Sequence, residues 1–160
     1  MKKILVVLCL GLVVGCGSES NSNSEEEKCT GTDILTYENG NIRENWCWRI
    51  EEGKTVYLAI KQYYQSGQIK EKTIIDCSKT HYVFEKWYED GKMEKQNYYL
   101  TPTHHPEDGK LDNLKIRDGC SREWYENGIL RYEVTYDNNR LVYVKEWDRT
   151  GKLIADRKKD

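Results

Sequence analysis

The stretch Trp124-Tyr125-Glu126-Asn127-Gly128 decides the fold of this chain, because near copies of it recur along the sequence. The copies cover residues 36–40, 63–67, 87–91, 124–128 and 147–151, and each ends in a glycine: Gly40, Gly67, Gly91, Gly128 and Gly151. Glycine adopts the positive φ that tight hairpin turns require without a steric cost. The repeated stretch therefore predicts a series of hairpin turns.

The segments between these turns alternate between apolar and polar residues with the period of a β-strand. Alternation of this kind, rich in Tyr, Trp, Val and Ile, is typical of half-buried antiparallel strands. The sets predicted to share a face are Leu130, Tyr132, Val134 and Tyr136; Val56, Leu58, Ile60 and Tyr64; and Ile42, Trp46, Trp48 and Ile50.

A second set of turns falls between the first. Its members are Glu52-Gly53, Cys77-Ser78, Asp108-Gly109 or Asp118-Gly119, and Asn138-Asn139. The two sets together predict an all-β fold, an antiparallel meander of repeated hairpins with about ten short strands, in a sheet that is flat or curved. We call the glycine turns of the first set the top turns and those of the second set the bottom turns, because successive turns of a meander lie at opposite ends of the sheet.

The repeated units resemble the bacterial variant of the MORN repeat, whose pattern is approximately W/Y-Y-x-N-G-x-L/I-x-x-E. The best copy is the ten residues 124–133, and the resemblance extends over about residues 36–156. Three features depart from the pattern. The second glycine of the unit is missing at Ser78-Lys79 and at Asn138-Asn139, Asp148 replaces the second aromatic residue of the last unit, and residues 101–120 form an insertion. Bacterial proteins with this repeat are often described as toxin-neutralising, so the resemblance implies a non-catalytic binding module.

The N-terminal residues read as the signal peptide of a bacterial lipoprotein. Two lysines precede a short apolar run, and small residues then lead to Cys16. We predict a signal peptide over residues 1–15, a lipid on Cys16 that anchors the protein in the membrane, and a polar tether that completes residues 16–28. The alternative is an ordinary signal peptide with an incidental Cys16. No Asp follows Cys16, which favours the outer membrane of the cell envelope. One repeat domain is predicted over residues 29–157, followed by a tail over residues 158–160.

Four cysteines remain after the signal peptide and Cys16: Cys29, Cys47, Cys77 and Cys120. An even number in an exported domain indicates two disulfides, for which three connectivities exist. The predicted meander brings all four cysteines to the bottom end of the sheet. Cys29 comes close to Cys47 across the first hairpin, so we predict the pairs Cys29–Cys47 and Cys77–Cys120.

The sequence offers little for catalysis, and we expect neither an enzyme nor a cofactor. The histidines are His81, His104 and His105, and Pro106 prevents the helix that a His-Glu zinc motif needs. An exposed loop is therefore favoured over weak zinc binding at residues 103–108, and no metal site is predicted. The acidic residues that repeat with the turns are interpreted as solvated turn residues.

The aromatic residues are the main candidates for binding. Twelve Tyr and five Trp against one Phe form an amphipathic set, suited to surfaces that are both packed and wet. Most are expected in the repeat core, but an alternating strand cannot turn all of them inward. The predicted binding residues are Tyr57, Tyr63, Tyr99 (or its neighbour Tyr98) and Tyr125.

Charge narrows the range of partners only slightly. The mature chain loses Lys2 and Lys3 from 25 basic residues and keeps 27 acidic ones, which leaves a net charge of −4. Without a basic stripe, a nucleic-acid partner is not expected. The favoured hypothesis is a lipid-anchored module that binds a protein partner and neutralises a toxin. The alternative is a structural, envelope-associated protein that binds lipid or glycan.

Overall fold

The computed structural model describes residues 29–74, 81–100 and 116–159 of the chain. These residues form ten β-strands. The strands are β1 (Gly31–Thr36), β2 (Ile42–Glu51), β3 (Lys54–Tyr63), β4 (Ile69–Ile74), β5 (His81–Trp87), β6 (Met93–Leu100), β7 (Gly119–Trp124), β8 (Leu130–Asp137), β9 (Arg140–Trp147) and β10 (Leu153–Lys158).

The strands form one antiparallel sheet in which each strand pairs with the next along the chain. Among the ten described strands the sheet is not closed, and β1 and β10 are its two edges. The predicted all-β meander of about ten strands is confirmed. Within the described residues, strands make extensive contact only with their neighbours, so the sheet is a single layer there.

The five top turns share one geometry. In the turn at 124–128, the amide of Gly128 donates to the carbonyl of Tyr125 (2.8 Å) and the amide of Tyr125 donates to the carbonyl of Ile129 (2.9 Å). The other four turns repeat both bonds, and φ of the glycine lies between 84° and 91° in all five. This is a hairpin loop closed by a glycine in the left-handed conformation, as the repeated motif predicts.

A ladder of tyrosine hydroxyls connects successive top turns. In the first four motifs, the tyrosine at the second position donates its hydroxyl to the carbonyl of the aromatic residue at the first position of the next motif. The bonds run from Tyr37 to Tyr63 (2.6 Å), from Tyr64 to Trp87 (2.9 Å), from Tyr88 to Trp124 (2.9 Å) and from Tyr125 to Trp147 (3.1 Å). Asp148 replaces this tyrosine in the motif at 147–151, the last of the five described top turns. The departure from the repeat pattern at Asp148 therefore coincides with the end of the ladder.

The bottom turns are less uniform. Glu52-Gly53 and Asn138-Asn139 have positive φ at both residues and reverse the chain as predicted. Asp118-Gly119 is not a reversal, because Arg117 already pairs with Tyr99 across β6 and the amide of Asp118 donates to the carbonyl of Tyr98. The strand β7 begins at Gly119, whose φ is 88°. The predicted turns at Cys77-Ser78 and Asp108-Gly109 lie outside the described residues.

Extra residues interrupt the alternation in seven of the ten described strands. A bulge follows each top turn, three residues after its glycine: the extra residues are Arg43, Lys70, Glu94, Arg131 and Ile154. Another lies in β3 at Leu58, where Ala59 and Tyr57 oppose the consecutive residues Cys47 and Trp48. Because a bulge moves all later residues to the other face, each of the three predicted same-face sets is wrong in part. Val56 and Leu58 lie on the other face from Ile60, Ile42 lies on the other face from Trp46, and Leu130 lies on the other face from Tyr132.

The register defines two faces of the sheet, because residues paired across strands point to the same side. Face A carries Cys47, Ala59, Tyr63, Trp87, Trp124 and Trp147. Face B carries Trp46, Tyr57, Tyr99, Tyr125 and Tyr132. These assignments follow the strand pairings and the alternation within each strand.

A small core lies on face A near the bottom of the first strands. It consists of Cys47, Val56, Leu58 and Ala59, with Cys29 packed against it. Cys29 and Cys47 form the predicted disulfide, with Cα atoms 5.6 Å apart. Cys120 is also disulfide-bonded, and its predicted partner Cys77 lies outside the described residues.

The first and last described residues can be compared with the predicted limits of the domain. β10 extends to Lys158, and the amide of Lys159 donates to the carbonyl of Val142, so the sheet includes residues that the sequence assigns to the tail. Residues 1–28, with the predicted signal peptide, Cys16 and tether, lie outside the described residues. Among the described residues, no helix is long and apolar enough to cross a membrane.

Candidate binding surfaces

A row of aromatic side chains crosses face A just below the top turns. We call it the aromatic row. It contains the first aromatic residue of four motifs, each paired with an aliphatic residue on the next strand: Tyr63 with Ile69, Trp87 with Met93, Trp124 with Leu130 and Trp147 with Leu153. All four aromatic side chains are half-buried. The repeat therefore places one aromatic platform on every second strand.

The three tryptophans of this row keep hydrogen-bonding capacity. Within the described part of the chain, the indole N–H groups of Trp87, Trp124 and Trp147 have no hydrogen-bond partner, and none of the three is among the buried unsatisfied atoms. A donor that is neither buried nor bonded faces solvent. The row therefore combines apolar ring surface with polar tips available to a ligand.

A row of polar side chains runs beside the aromatic row on the same face. We call it the polar row. Its members pair in register from β2 to β10: Asn45, Lys61, Lys72, Glu85, Gln96, Arg122, Glu133, Lys145 and Asp156. Each member lies at one of two fixed positions relative to a top-turn motif. It is either two residues before the first aromatic residue of the motif or five residues after the motif's glycine. The motif that fixes the turn therefore also fixes this row.

Neighbours in the polar row bond to one another. The amide of Gln96 donates to Glu85 (3.0 Å), and Arg122 Nε donates to Glu133 (3.0 Å) in a half-buried ion pair. Lys72 and Glu85 are buried and face each other across β4 and β5. Burial, and then the positive charge of Lys72, lower the pKa of the Lys61 ammonium below its usual value.

Face B is built from paired aromatic contacts. Trp46 meets Tyr57 edge to face, with ring centroids 5.3 Å apart, and its indole donates to Glu44. Tyr82 and Tyr99 stack with centroids 5.0 Å apart. Both rings of this stack are buried, and Asn97 donates to the Tyr99 hydroxyl inside the sheet.

The four predicted binding tyrosines do not form one surface. Tyr99 is only 6% exposed and belongs to the stack on face B, so it cannot contribute to an exposed binding surface. Its neighbour Tyr98 is half-buried on face A. Tyr57 and Tyr63 lie on opposite faces because the bulge at Leu58 separates them. Tyr125 is half-buried on face B, where its hydroxyl belongs to the ladder.

The two edge strands differ in character, and the sequence reasoning missed this difference. Ile34 and Leu35 on β1 are 51% and 45% exposed, and the strand GTDILT has one charged residue. On β10, Leu153 and Ile154 are equally exposed at 45% and 54%, but three of the remaining four residues are charged. The available signal was the meander itself, since its first and last strands become edges.

The sequence offers one candidate segment for metal binding, at which no site is predicted, and the structure does not describe that segment. His104, His105 and the rest of the segment 103–108 lie outside the described residues. In the part of the chain that is described, no group of three or more His, Cys, Asp or Glu side chains could hold a metal ion.

The repeat geometry can now be compared with known proteins. Two segments match the family of MORN repeat variants. They are residues 59–74 and 117–138, and each contains one top turn with residues of both adjoining strands. No curated protein matches the chain.

Three chains of solved structures match as well. One is a crystal structure of a protein of unknown function from Bacteroides fragilis NCTC 9343. It shares 14% sequence identity with this chain, the match covers 80% of this chain and 90% of that chain, and the TM-score is 0.23.

Proposed function

We propose that this protein is a non-catalytic module that binds a protein partner through the β1 edge of its sheet. The exposed pair Ile34 and Leu35, on an edge strand with a single charged residue, is the observation that supports this proposal. Two segments with the character of MORN repeats agree with a binding or structural module.

The physical reason lies in how proteins treat sheet edges. An edge strand presents unpaired N–H and C=O groups that can pair with another chain, and natural edges are usually protected by charged residues. The charges on β10 fit that protection. β1 carries only Asp33 and flanks its backbone with apolar side chains on both faces, Ile34 on face A and Leu35 on face B. An extended partner segment could add to β1 as an eleventh strand.

We further propose that the module acts outside the cytoplasm on a lipid anchor. The support is the sequence of residues 1–16, in which a charged start and a short apolar run lead to Cys16. Toxin neutralisation is the specific role that the repeat resemblance suggests. The mature net charge of −4 would suit a basic toxin or wall enzyme.

The test begins with capture of a partner by residues 17–160 with oxidised cysteines, from envelope extracts of the host and related strains. The affinity of the captured protein is then measured for three forms: unaltered, Ile34→Lys/Leu35→Lys, and Leu153→Lys/Ile154→Lys. The two double variants introduce the same charges at equally exposed positions on opposite edges. Circular dichroism confirms that each is folded.

We expect the β1 variant to bind at least about tenfold more weakly, because charged side chains oppose strand addition. The β10 variant should bind as the unaltered protein does. Equal binding by all three forms would exclude the β1 edge as the site. If the partner inhibits growth, co-expression with the unaltered protein should restore it; failure to restore it would remove the neutralising role.

A further inference from the structure

We propose that the aromatic row of face A binds an extended β-1,4-linked polysaccharide. This second binding activity concerns a different surface from the β1 edge and does not depend on the proposed protein partner. The site consists of Trp87, Trp124 and Trp147, with the neighbouring part of the polar row.

The spacing of the platforms is the first argument. Trp87, Trp124 and Trp147 lie on β5, β7 and β9, in equivalent places below successive top turns. Adjacent strands are about 4.8 Å apart, so consecutive platforms are about 9.6 Å apart. This separation is close to the length of two sugar residues in an extended β-1,4-linked chain. One ring could therefore stack on every second sugar of such a chain.

The form of the rings is the second argument. Pyranose rings expose C–H groups on their faces and hydroxyls on their edges, so a flat amphipathic ring suits them. Each tryptophan is paired across the strands with an apolar residue: Met93, Leu130 or Leu153. Its unbonded indole N–H, identified above, can donate to a sugar oxygen. The platforms thus combine an apolar neighbour with an N–H group that is able to form a hydrogen bond.

The polar row supplies the third argument. Beside the three tryptophans it contains Glu85, Gln96, Arg122, Glu133 and Lys145, which are two acids, two bases and one amide. This balance of donors and acceptors suits a neutral, hydroxyl-rich ligand. An anionic lipid surface would favour a cluster of basic residues, so the polar row favours the glycan.

The twist of the sheet limits the length of the site. Adjacent strands rotate by about 20–25°, so consecutive platforms rotate by about 40–50°. A glycan chain must follow this rotation, and each further platform adds to it. The three tryptophan platforms therefore define the site, which spans about five to six sugars by the strand spacing.

The experiment titrates residues 17–160 with chitobiose and with chitohexaose, using tryptophan fluorescence and calorimetry. Sedimentation with insoluble chitin and with purified peptidoglycan then tests the polymer. We expect chitohexaose to bind at least about tenfold more tightly than chitobiose, because it reaches more than one platform. The absence of binding to the hexasaccharide and to both polymers, or equal affinity for the two oligosaccharides, would overturn the proposal.

Two variants locate the site. Trp124→Ala should weaken hexasaccharide binding about tenfold, as expected for the loss of one aromatic platform. Trp46→Ala is the control on face B and should bind as the unaltered protein does. If either variant fails to fold, Trp124→Leu and Trp46→Leu take their places. Unchanged binding in the folded Trp124 variant would overturn the proposal.

The Ile34→Lys/Leu35→Lys variant separates the two proposals. It should lose the protein partner and keep the hexasaccharide, since β1 lies outside the three-tryptophan site. Loss of hexasaccharide binding in this variant, while it remains folded, would contradict the placement of the glycan on Trp87, Trp124 and Trp147.

Discussion

At the scale of single residues, two adjacent tyrosines in one turn have different roles. The Tyr64 hydroxyl donates to the carbonyl of Trp87 at 2.9 Å and so joins the second top turn to the third. The Tyr63 hydroxyl has no partner among the described residues, and its own carbonyl accepts the bond from Tyr37. The first position of the motif thus contributes ring surface, and the second contributes a link between repeats.

Removal of these hydroxyls tests that distinction. We expect Tyr64→Phe to lower the free energy of unfolding by about 1 kcal/mol, the usual net contribution of one hydrogen bond. Tyr63→Phe, in the same turn and also half-buried, should change it by less than about 0.5 kcal/mol. Urea denaturation measures both. Equal losses would mean that the ladder does not contribute to stability.

Asp148 makes the last turn sensitive to pH. Hydrogen bonds from the Thr150 hydroxyl, and next from the amides of Thr150 and Lys152, hold the pKa of the Asp148 carboxyl below its usual range. A folded-state pKa below the unfolded value contributes stability that is fully present above the unfolded pKa of about 3.9 and is lost as pH falls through the folded value.

We therefore expect Asp148→Asn to destabilise the protein at neutral pH, and this difference to shrink as the pH falls below about 4. Thermal unfolding of both forms between about pH 7 and pH 3 measures the difference. A difference that stays constant over this range would show that the charge of Asp148 contributes nothing to the turn.

At the scale of the hairpin, the turn glycine has a conformational role that can be isolated at Gly67. Its φ is +91°, and a Cβ placed there would meet no atom within 4 Å. Gly67→Ala should therefore cost about 1–2 kcal/mol through backbone conformation alone. Gly67→Asn should cost less, because asparagine tolerates the left-handed region better. Chemical denaturation compares the variants, and equal stability of alanine and glycine at this position would contradict the conformational argument.

The first hairpin also depends on its disulfide. The bond between Cys29 and Cys47 closes a loop with a sequence separation of 18 residues. Loop-closure entropy gives about 3 kcal/mol for a loop of this size. We expect Cys29→Ala/Cys47→Ala to lose roughly that amount, measured by urea denaturation without reductant. The disulfide at Cys120 remains intact under these conditions, and a loss below about 1 kcal/mol would be inconsistent with the entropic account.

At the scale of the whole molecule, the two edges should differ in stability. Within the described part of the chain, both edge strands pair on one side only, and only β1 is held by a described disulfide. We expect the amides of β10 that pair with β9 to exchange hydrogen faster than those of β1 that pair with β2. Hydrogen exchange followed by mass spectrometry measures both. Reduction of the Cys29–Cys47 disulfide should make the exchange rates of β1 and β10 similar. Equal exchange rates before reduction would contradict the expectation.

Much of the architecture could be predicted because it depends on local chemistry. Gly40 and its four counterparts each fix a turn through one left-handed residue, so the number of strands and the meander follow from the motif. The pairing of Cys29 with Cys47 follows from the same hairpin. The repetition of the motif was therefore enough to predict the turns and the meander, and no knowledge of contacts between distant residues was needed.

The faces could not be predicted in the same way. An extra residue such as Leu58 or Arg131 leaves no signal in composition, yet it moves each later side chain to the other side. Tyr99 illustrates a second limit, because its burial depends on the ring of Tyr82 across the pairing of β5 and β6. The aromatic and polar rows became visible only once the register was known.

The position of the first disulfide also determines how the sheet responds to mechanical force. A pull on the chain from its N-terminal side reaches the sheet at Cys29 and passes through the sulfur–sulfur bond to Cys47 in the middle of β2. The residues between these two cysteines, including all of β1, lie off the path of the load. Tension would therefore have to shear β2 from β3 before it could peel β1 away, and the exposed edge would keep its shape while the protein is pulled.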